Sequence, residues 1–155
     1  MQKNIKQIFA EYLSQQKKKS APRTYKYYDE AIRYLENCLN GYASNYLDEK
    51  DSKKFDKKFK DGVEFCDIFE PQVLSDSNFS EFLGYYYPKK IACGRDMAQK
   101  ICGATIALYK WMVENKYIFQ EEGDAIELSE CVSYLRESFK EGMDEYCNFD
   151  EDDVF

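Results

Sequence analysis

The sequence predicts an all-α protein, and three observations carry that reading. Apolar residues return every three or four positions through most of the chain, the period of one helix face. The turn formers fall between these runs: Ser20-Ala21-Pro22, Pro71 with the Ser/Asp cluster at 75–77, Pro88, and Gly123. At 155 residues, 44% hydrophobic and 17% aromatic, the chain can bury the core of one domain, or of one domain with an appendage.

The first run, Lys3 to Gln16, sets Ile5, Ile8, Phe9, Tyr12 and Leu13 on one stripe, and Gln15 to Lys19 closes it with cations that the helix dipole favours there. Ser20 is expected to cap a second helix through its side chain, with Pro22 in the first turn. The stripe of that helix is Tyr25, Tyr28, Ala31, Ile32, Leu35, Cys38 and Leu39, and Gly41 is its expected stop. Phe55 and Phe59 indicate a lysine-rich third helix around 46–60. Val63 to Phe69 reads equally as a short strand or an irregular packed segment.

Asn78 and Glu81 have the spacing of a capping box for a helix carrying Phe79, Phe82, Leu83 and Tyr86, with Pro88 as its end. After a turn at Ile91 to Gly94, a long helix runs from Arg95 to Asn115. Ala98, Ile101, Cys102, Thr105, Tyr109, Met112 and Val113 share a face, with the Thr105 hydroxyl bonding back into the preceding turn. A last helix, about Ala125 to Tyr146, carries Leu128, Cys131, Val132, Leu135, Phe139 and Met143. The ending Asp150 to Phe155 reads as an acidic, mobile tail.

Few chemistries fit this composition. There is no His, no Cys-x-x-Cys pair and no glycine-rich phosphate loop, so neither an enzyme nor a metal or other cofactor is expected. The acidic cluster at 150–153 lacks the spacing of a calcium loop. No apolar run approaches the ~20 residues of a membrane span, and the N-terminus lacks a signal peptide's apolar stretch. The six cysteines therefore read as free, mostly packing thiols of a cytoplasmic protein.

Charge is unevenly spread. Residues 1–60 hold 14 Lys/Arg against 8 Asp/Glu, residues 61–119 hold 6 against 8, and residues 120–155 hold 2 against 13. The acidic end opposes bulk attraction to nucleic acid, but a local basic face remains open. Lys17, Lys18 and Lys19 precede the helix that carries Arg23 and Lys26. Lys89, Lys90 and Arg95 precede or open the helix that carries Lys100. Cations at helix starts suit phosphate, and the plain alternative is a solubilising surface. Tyr25, Tyr27 and Tyr28, and Tyr85 to Tyr87, read as base-stacking platforms or as core.

Several phrases together resemble the N-terminal core-binding, SAM-like domain of phage integrases and other tyrosine recombinases. They are Phe9-Ala10-Glu11-Tyr12-Leu13, then Lys17 to Lys19, then Ser20 with Thr24 and Tyr28, then Phe82-Leu83, and then Leu108 to Ile118 around Trp111. Lys116 stands where the family phrase has a glycine, and Ala92-Cys93-Gly94 where it has a small polar residue and threonine. The resemblance covers roughly residues 3–119. It implies an orthogonal bundle of about four core helices, here with an extra acidic C-terminal helix. The expected division is a core-binding domain at 1–119, with an insertion near 43–76, and an acidic helix and tail at 120–155.

The resemblance also implies that such a module clamps duplex DNA beside a recombination site. The contacts it implies are Lys18 and Lys19 in a basic loop, with Arg23, Thr24, Lys26, Lys89, Lys90, Arg95 and Lys100, and Lys17 adjoins them. The family's catalytic domain has no room here: only Arg136 and Lys140 are cationic after Phe119. The alternative is a helical protein–protein interaction domain that kept the fold and lost DNA binding, with a protein partner or a second copy, and no membrane.

Overall fold

Ile5, Ile8, Phe9 and Tyr12 are spaced to bury one helix face, and in the computed structural model all four are buried. The structure describes residues 2–91, 94–118 and 124–147, the last with backbone alone over 124–127. The described residues are all-α, with no strand, and the chain divides into two compact units, Met1–Val73 and Leu74–Phe155. The division falls inside the stretch that reads as an insertion.

In the first unit, α1 spans Ile5–Lys19. Asn4 caps it: its Oδ1 accepts the Gln7 N–H at 2.8 Å while the Gln7 side chain accepts the Asn4 N–H at 2.9 Å. Helix α2 spans Pro22–Tyr42, and its N-cap is Ala21, which has no side-chain bond to give. Ser20 was expected in that role but stands one position early. It closes α1 instead, its N–H donating to the Gln16 carbonyl at 2.9 Å. Nor does Gly41 stop α2, because the chain stays right-handed there and passes through Tyr42 into a 3₁₀ turn, Ala43–Tyr46.

The lysine-rich α3, Glu49–Phe59, buries no residue and ends near Gly62, whose φ of 80° is the left-handed conformation that suits glycine. The ambiguous stretch forms a single turn, α4, Phe65–Ile68. Three bonds from distant residues hold it. Asn40 Oδ1 accepts the Cys66 N–H at 3.0 Å, Asn4 Nδ2 donates to the Asp67 carbonyl at 3.2 Å, and the Ile5 N–H donates to the Phe69 carbonyl at 2.9 Å. Helices α1, α2 and α4 pack together, with Leu35, Leu39, Phe65 and Phe69 among the buried residues.

In the second unit, α5 spans Asp76–Glu81 and is capped by Ser75. Asn78 does belong to a capping box, but as the residue that reaches back: its Oδ1 accepts the Ser75 N–H at 2.9 Å. The chain then widens into a π turn, Phe82–Tyr86, and continues as α6, Tyr87–Lys90. Pro88 therefore does not end the run. In a regular α-helix its ring would meet the carbonyl of residue 84. The wider turn before it, with the Tyr87 N–H on the Phe82 carbonyl, relieves that clash.

Helix α7 spans Arg95–Glu114, and Thr105 is buried on it with its hydroxyl donating to the Ile101 carbonyl at 2.8 Å, as expected. It ends in a Schellman motif. The Lys116 N–H reaches the Val113 carbonyl at 3.0 Å and the Tyr117 N–H the Met112 carbonyl at 2.8 Å. Helix α8, Asp124–Tyr146, packs on α5, the π turn, α6 and α7. Its closest approach is at small residues. Ser80 and Ser138 hydroxyls lie 2.9 Å apart, and a Cβ on Gly142 would fall on the Gly84 backbone, 2.7 Å from its carbonyl carbon. Phe79, Phe82, Leu83, Tyr109, Leu135 and Phe139 fill the core around this crossing.

Candidate nucleic-acid interface

A phosphate-binding surface needs cations free of carboxylates and backbone amides without partners. The α1–α2 corner has such cations beside a helix start without a side-chain cap. Lys17, Lys18 and Lys19 form the last turn of α1, where the resemblance implies a loop, and only Ser20 and Ala21 separate them from α2. Arg23, Thr24 and Lys26 follow in the first two turns of α2, and all six side chains are exposed. Among the described residues no carboxylate pairs with Lys17, Lys18, Lys19 or Arg23, while Lys26 faces Glu30 at 4.0 Å. Because Ala21 caps α2 without a side chain, the first amides of α2 have no side-chain acceptor there.

The second cluster lies in the other unit. Lys89 and Lys90 end α6, and Arg95 is the first residue of α7 after Gly94, again with no side-chain cap bond. All are exposed, as is Lys100, which lies roughly 140° round the helix from Arg95. Lys89 is partly committed: its Nζ donates to the Tyr85 hydroxyl at 3.0 Å and sits 4.9 Å from the centre of that ring. Tyr87 is buried and withdrawn from any base. Tyr25, Tyr27, Tyr85 and Tyr86 are half-buried, and so is Tyr28, which packs edge-on against Tyr12 at 5.9 Å.

Two of the thiols, Cys66 and Cys102, are held protonated at neutral pH. Burial pushes the Cys66 thiol far up, and the carboxylates of Glu36, Asp67 and Glu64 add to it. Burial pushes Cys102 up to about 12 against the opposing pull of Arg136. The expectation of free thiols holds at Cys38, Cys66, Cys102 and Cys131 and fails at Cys147, which is disulfide-bonded. Cys93 and the acidic cluster at 150–153 lie outside the described residues. Among the described residues no group of three or more His, Cys, Asp or Glu is placed to hold a metal ion, and no helix is long and apolar enough to cross a membrane.

One feature of the second unit was not read from the sequence. Between α7 and α8 lies an open groove of about 410 Å³, floored by Leu128 and Val132 and edged by Lys110, Glu114 and Arg136. Its signal was present as the i, i+4 spacings Lys110–Glu114 and Leu128–Val132. Which two helix faces would meet is a tertiary fact that such spacing does not contain.

The chain matches no family model, no curated protein and no solved structure.

Proposed function

We propose that this chain is a non-catalytic module that binds duplex DNA, with the α1–α2 corner as its principal contact. The observation that carries the reading is the arrangement there: Lys17, Lys18, Lys19 and Arg23 exposed, without carboxylate partners among the described residues, around a helix start that has no side-chain cap. In this reading the cations neutralise phosphates and Thr24 donates its hydroxyl to a phosphate oxygen, contacts that position the duplex without reading its sequence. Lys89, Lys90, Arg95 and Lys100 supply a second contact from the other unit.

The likeness to the SAM-like core-binding domain of integrases draws support from Lys116. The position where the family phrase has glycine is the one non-glycine residue with positive φ, 61°, among the described residues. No catalytic role is assigned to any tyrosine or cysteine, and the buried thiols favour a cytoplasmic setting, to which the bond at Cys147 is the exception.

Exposed aromatics support the second reading, a helical protein–protein interaction domain. Tyr46 and Phe59 are 69% and 56% exposed in the first unit, and Phe59 stacks only on Phe55, at 5.2 Å, among the ring contacts described. Charge reversal separates the two. Lys18→Glu, Lys19→Glu and Arg23→Glu together are expected to abolish binding of a short duplex at low salt and leave thermal unfolding unchanged. Reversal of Lys53, Lys57 and Lys58 on α3 is expected to weaken it much less. Equal loss from both sets would reduce the corner to bulk charge and overturn the assignment.

A further inference from the structure

We propose that the groove between α7 and α8 binds a small organic monoanion, a carboxylate carried on an apolar chain. At about 410 Å³ the groove is of the size that takes a small molecule. Two helix faces of the second unit form it. Lys110 and Glu114 stand about one turn apart on α7, and Leu128, Ser129, Val132, Ser133 and Arg136 follow at helical spacing on α8. Val132 is buried and Leu128 half-buried, so the floor is apolar. The polar groups around it are unengaged. Among the described residues, Lys110, Glu114, Ser129, Ser133 and Arg136 make no side-chain hydrogen bond and no ion pair. Lys110 and Glu114 have pairing distance in sequence, but the lysine is N-terminal to the glutamate, the less favourable order on a helix.

Charge and apolar surface together select the ligand. The lining holds two cations, Lys110 and Arg136, and one carboxylate, Glu114, an excess of one positive charge that a single carboxylate balances. The Arg136 guanidinium matches a carboxylate with two parallel hydrogen bonds, and the Ser133 hydroxyl is a further donor one turn or less away. The two ends of the groove differ. Arg136 acts on the Cys102 thiol, twelve residues before Glu114 on α7, so Arg136 and Glu114 stand at opposite ends. Lys110 lies one turn nearer to Arg136 than Glu114 does. The carboxylate therefore sits between Arg136 and Lys110, where Glu114 repels it least, and the chain lies over Val132 and Leu128. From Arg136 back to Leu128 is about 12 Å along α8, room for an extended chain of several carbons. The site does not depend on the DNA reading.

Titration of the full chain with octanoate, followed residue by residue in amide proton–nitrogen NMR spectra, tests the site. Shifts centred on Lys110, Ser129, Val132 and Ser133 are expected to saturate with a Kd on the order of 1 mM. Lys110→Gln with Arg136→Gln is expected to weaken that binding at least about fivefold. Both side chains are exposed, so the rest of the variant's spectrum should overlay on the parent's. Octanol, which has the chain without the charge, is expected to bind at least about fivefold more weakly, and inorganic phosphate to leave Leu128 and Val132 unshifted. Octanol as tight as octanoate, or a double variant as tight as the parent, reduces the groove to an apolar surface and overturns the proposal. No saturable shift at these residues by about 10 mM octanoate overturns it too. Shifts of the same residues on dilution of the protein alone would assign the groove to a second copy, with the same result.

Discussion

Lys116 holds a conformation, φ 61°, that its Cβ disfavours by about 1 kcal/mol or more. The chain accepts this because the Schellman bonds at the end of α7 need a left-handed residue there. Lys116→Gly is therefore expected to raise stability by about 1 kcal/mol, read as a higher urea midpoint. A midpoint unchanged or lowered would contradict the argument. The sequence marked the site, since glycine is what the resembling phrase has at this position, but the strain itself is visible only in the backbone.

Glu36 was not legible as a special group at all. Burial raises its carboxyl above the ordinary 4.5, with Asp67 and Glu64 adding to that and Lys6 opposing it. Folded protein thus holds the Glu36 proton more tightly than unfolded protein, and this contribution to stability falls as pH rises from 4.5 through the raised value. Glu36→Gln should flatten that fall and raise stability at neutral pH relative to the parent. Urea titrations across the acid range check it, and parallel pH profiles for the two proteins would refute it.

At the scale of elements, the long helices were legible and their ends were not. Helix α7 runs Arg95–Glu114 and α8 Asp124–Tyr146, each within a residue or so of the span expected for it, because many repeated spacings point to the same face. Caps depend on single positions. Ser20 and Asn78 are good capping residues in type, yet Ala21 and Ser75 take the N-cap positions. The π turn breaks the 3.6 period, so Pro88 read as a stop although the helix passes through it.

The crossing of that turn with α8 depends on glycine, and a matched pair of substitutions tests it. Gly142→Ala puts a methyl on the Gly84 backbone and is expected to lower stability by about 1–3 kcal/mol. Gly103→Ala, in α7, has nothing within 4 Å of the new methyl and is expected to raise stability by up to about 1 kcal/mol. Thermal unfolding of both variants decides it, and a Gly142→Ala protein as stable as the parent would remove the close crossing from the account.

Across the whole molecule, the cations of the candidate surface were legible as residues, and their circumstances were not. The sequence shows that Lys17, Lys18, Lys19 and Arg23 cluster. It does not show that they lack carboxylate partners among the described residues while Lys26 faces Glu30, or that Lys89 leans on Tyr85. The division of the chain at Val73 and Leu74 was also hidden, because a packed one-turn helix and a 3₁₀ turn leave little periodicity on either side of it. The two basic clusters consequently belong to separate units.

The central claim is that the first unit's corner binds duplex DNA through phosphates. The most direct measurement is the affinity of the full chain for a short duplex across a salt series. Each phosphate neutralised contributes about −0.9 to the slope of log affinity against log salt, so the five corner cations Lys17, Lys18, Lys19, Arg23 and Lys26 set an expected slope of about −4.5, and steeper where the second cluster joins. Charge reversal at Lys18, Lys19 and Arg23 should remove the binding at every salt concentration of the series. No binding at low salt, with the 150–153 carboxylates intact or neutralised, would contradict the claim.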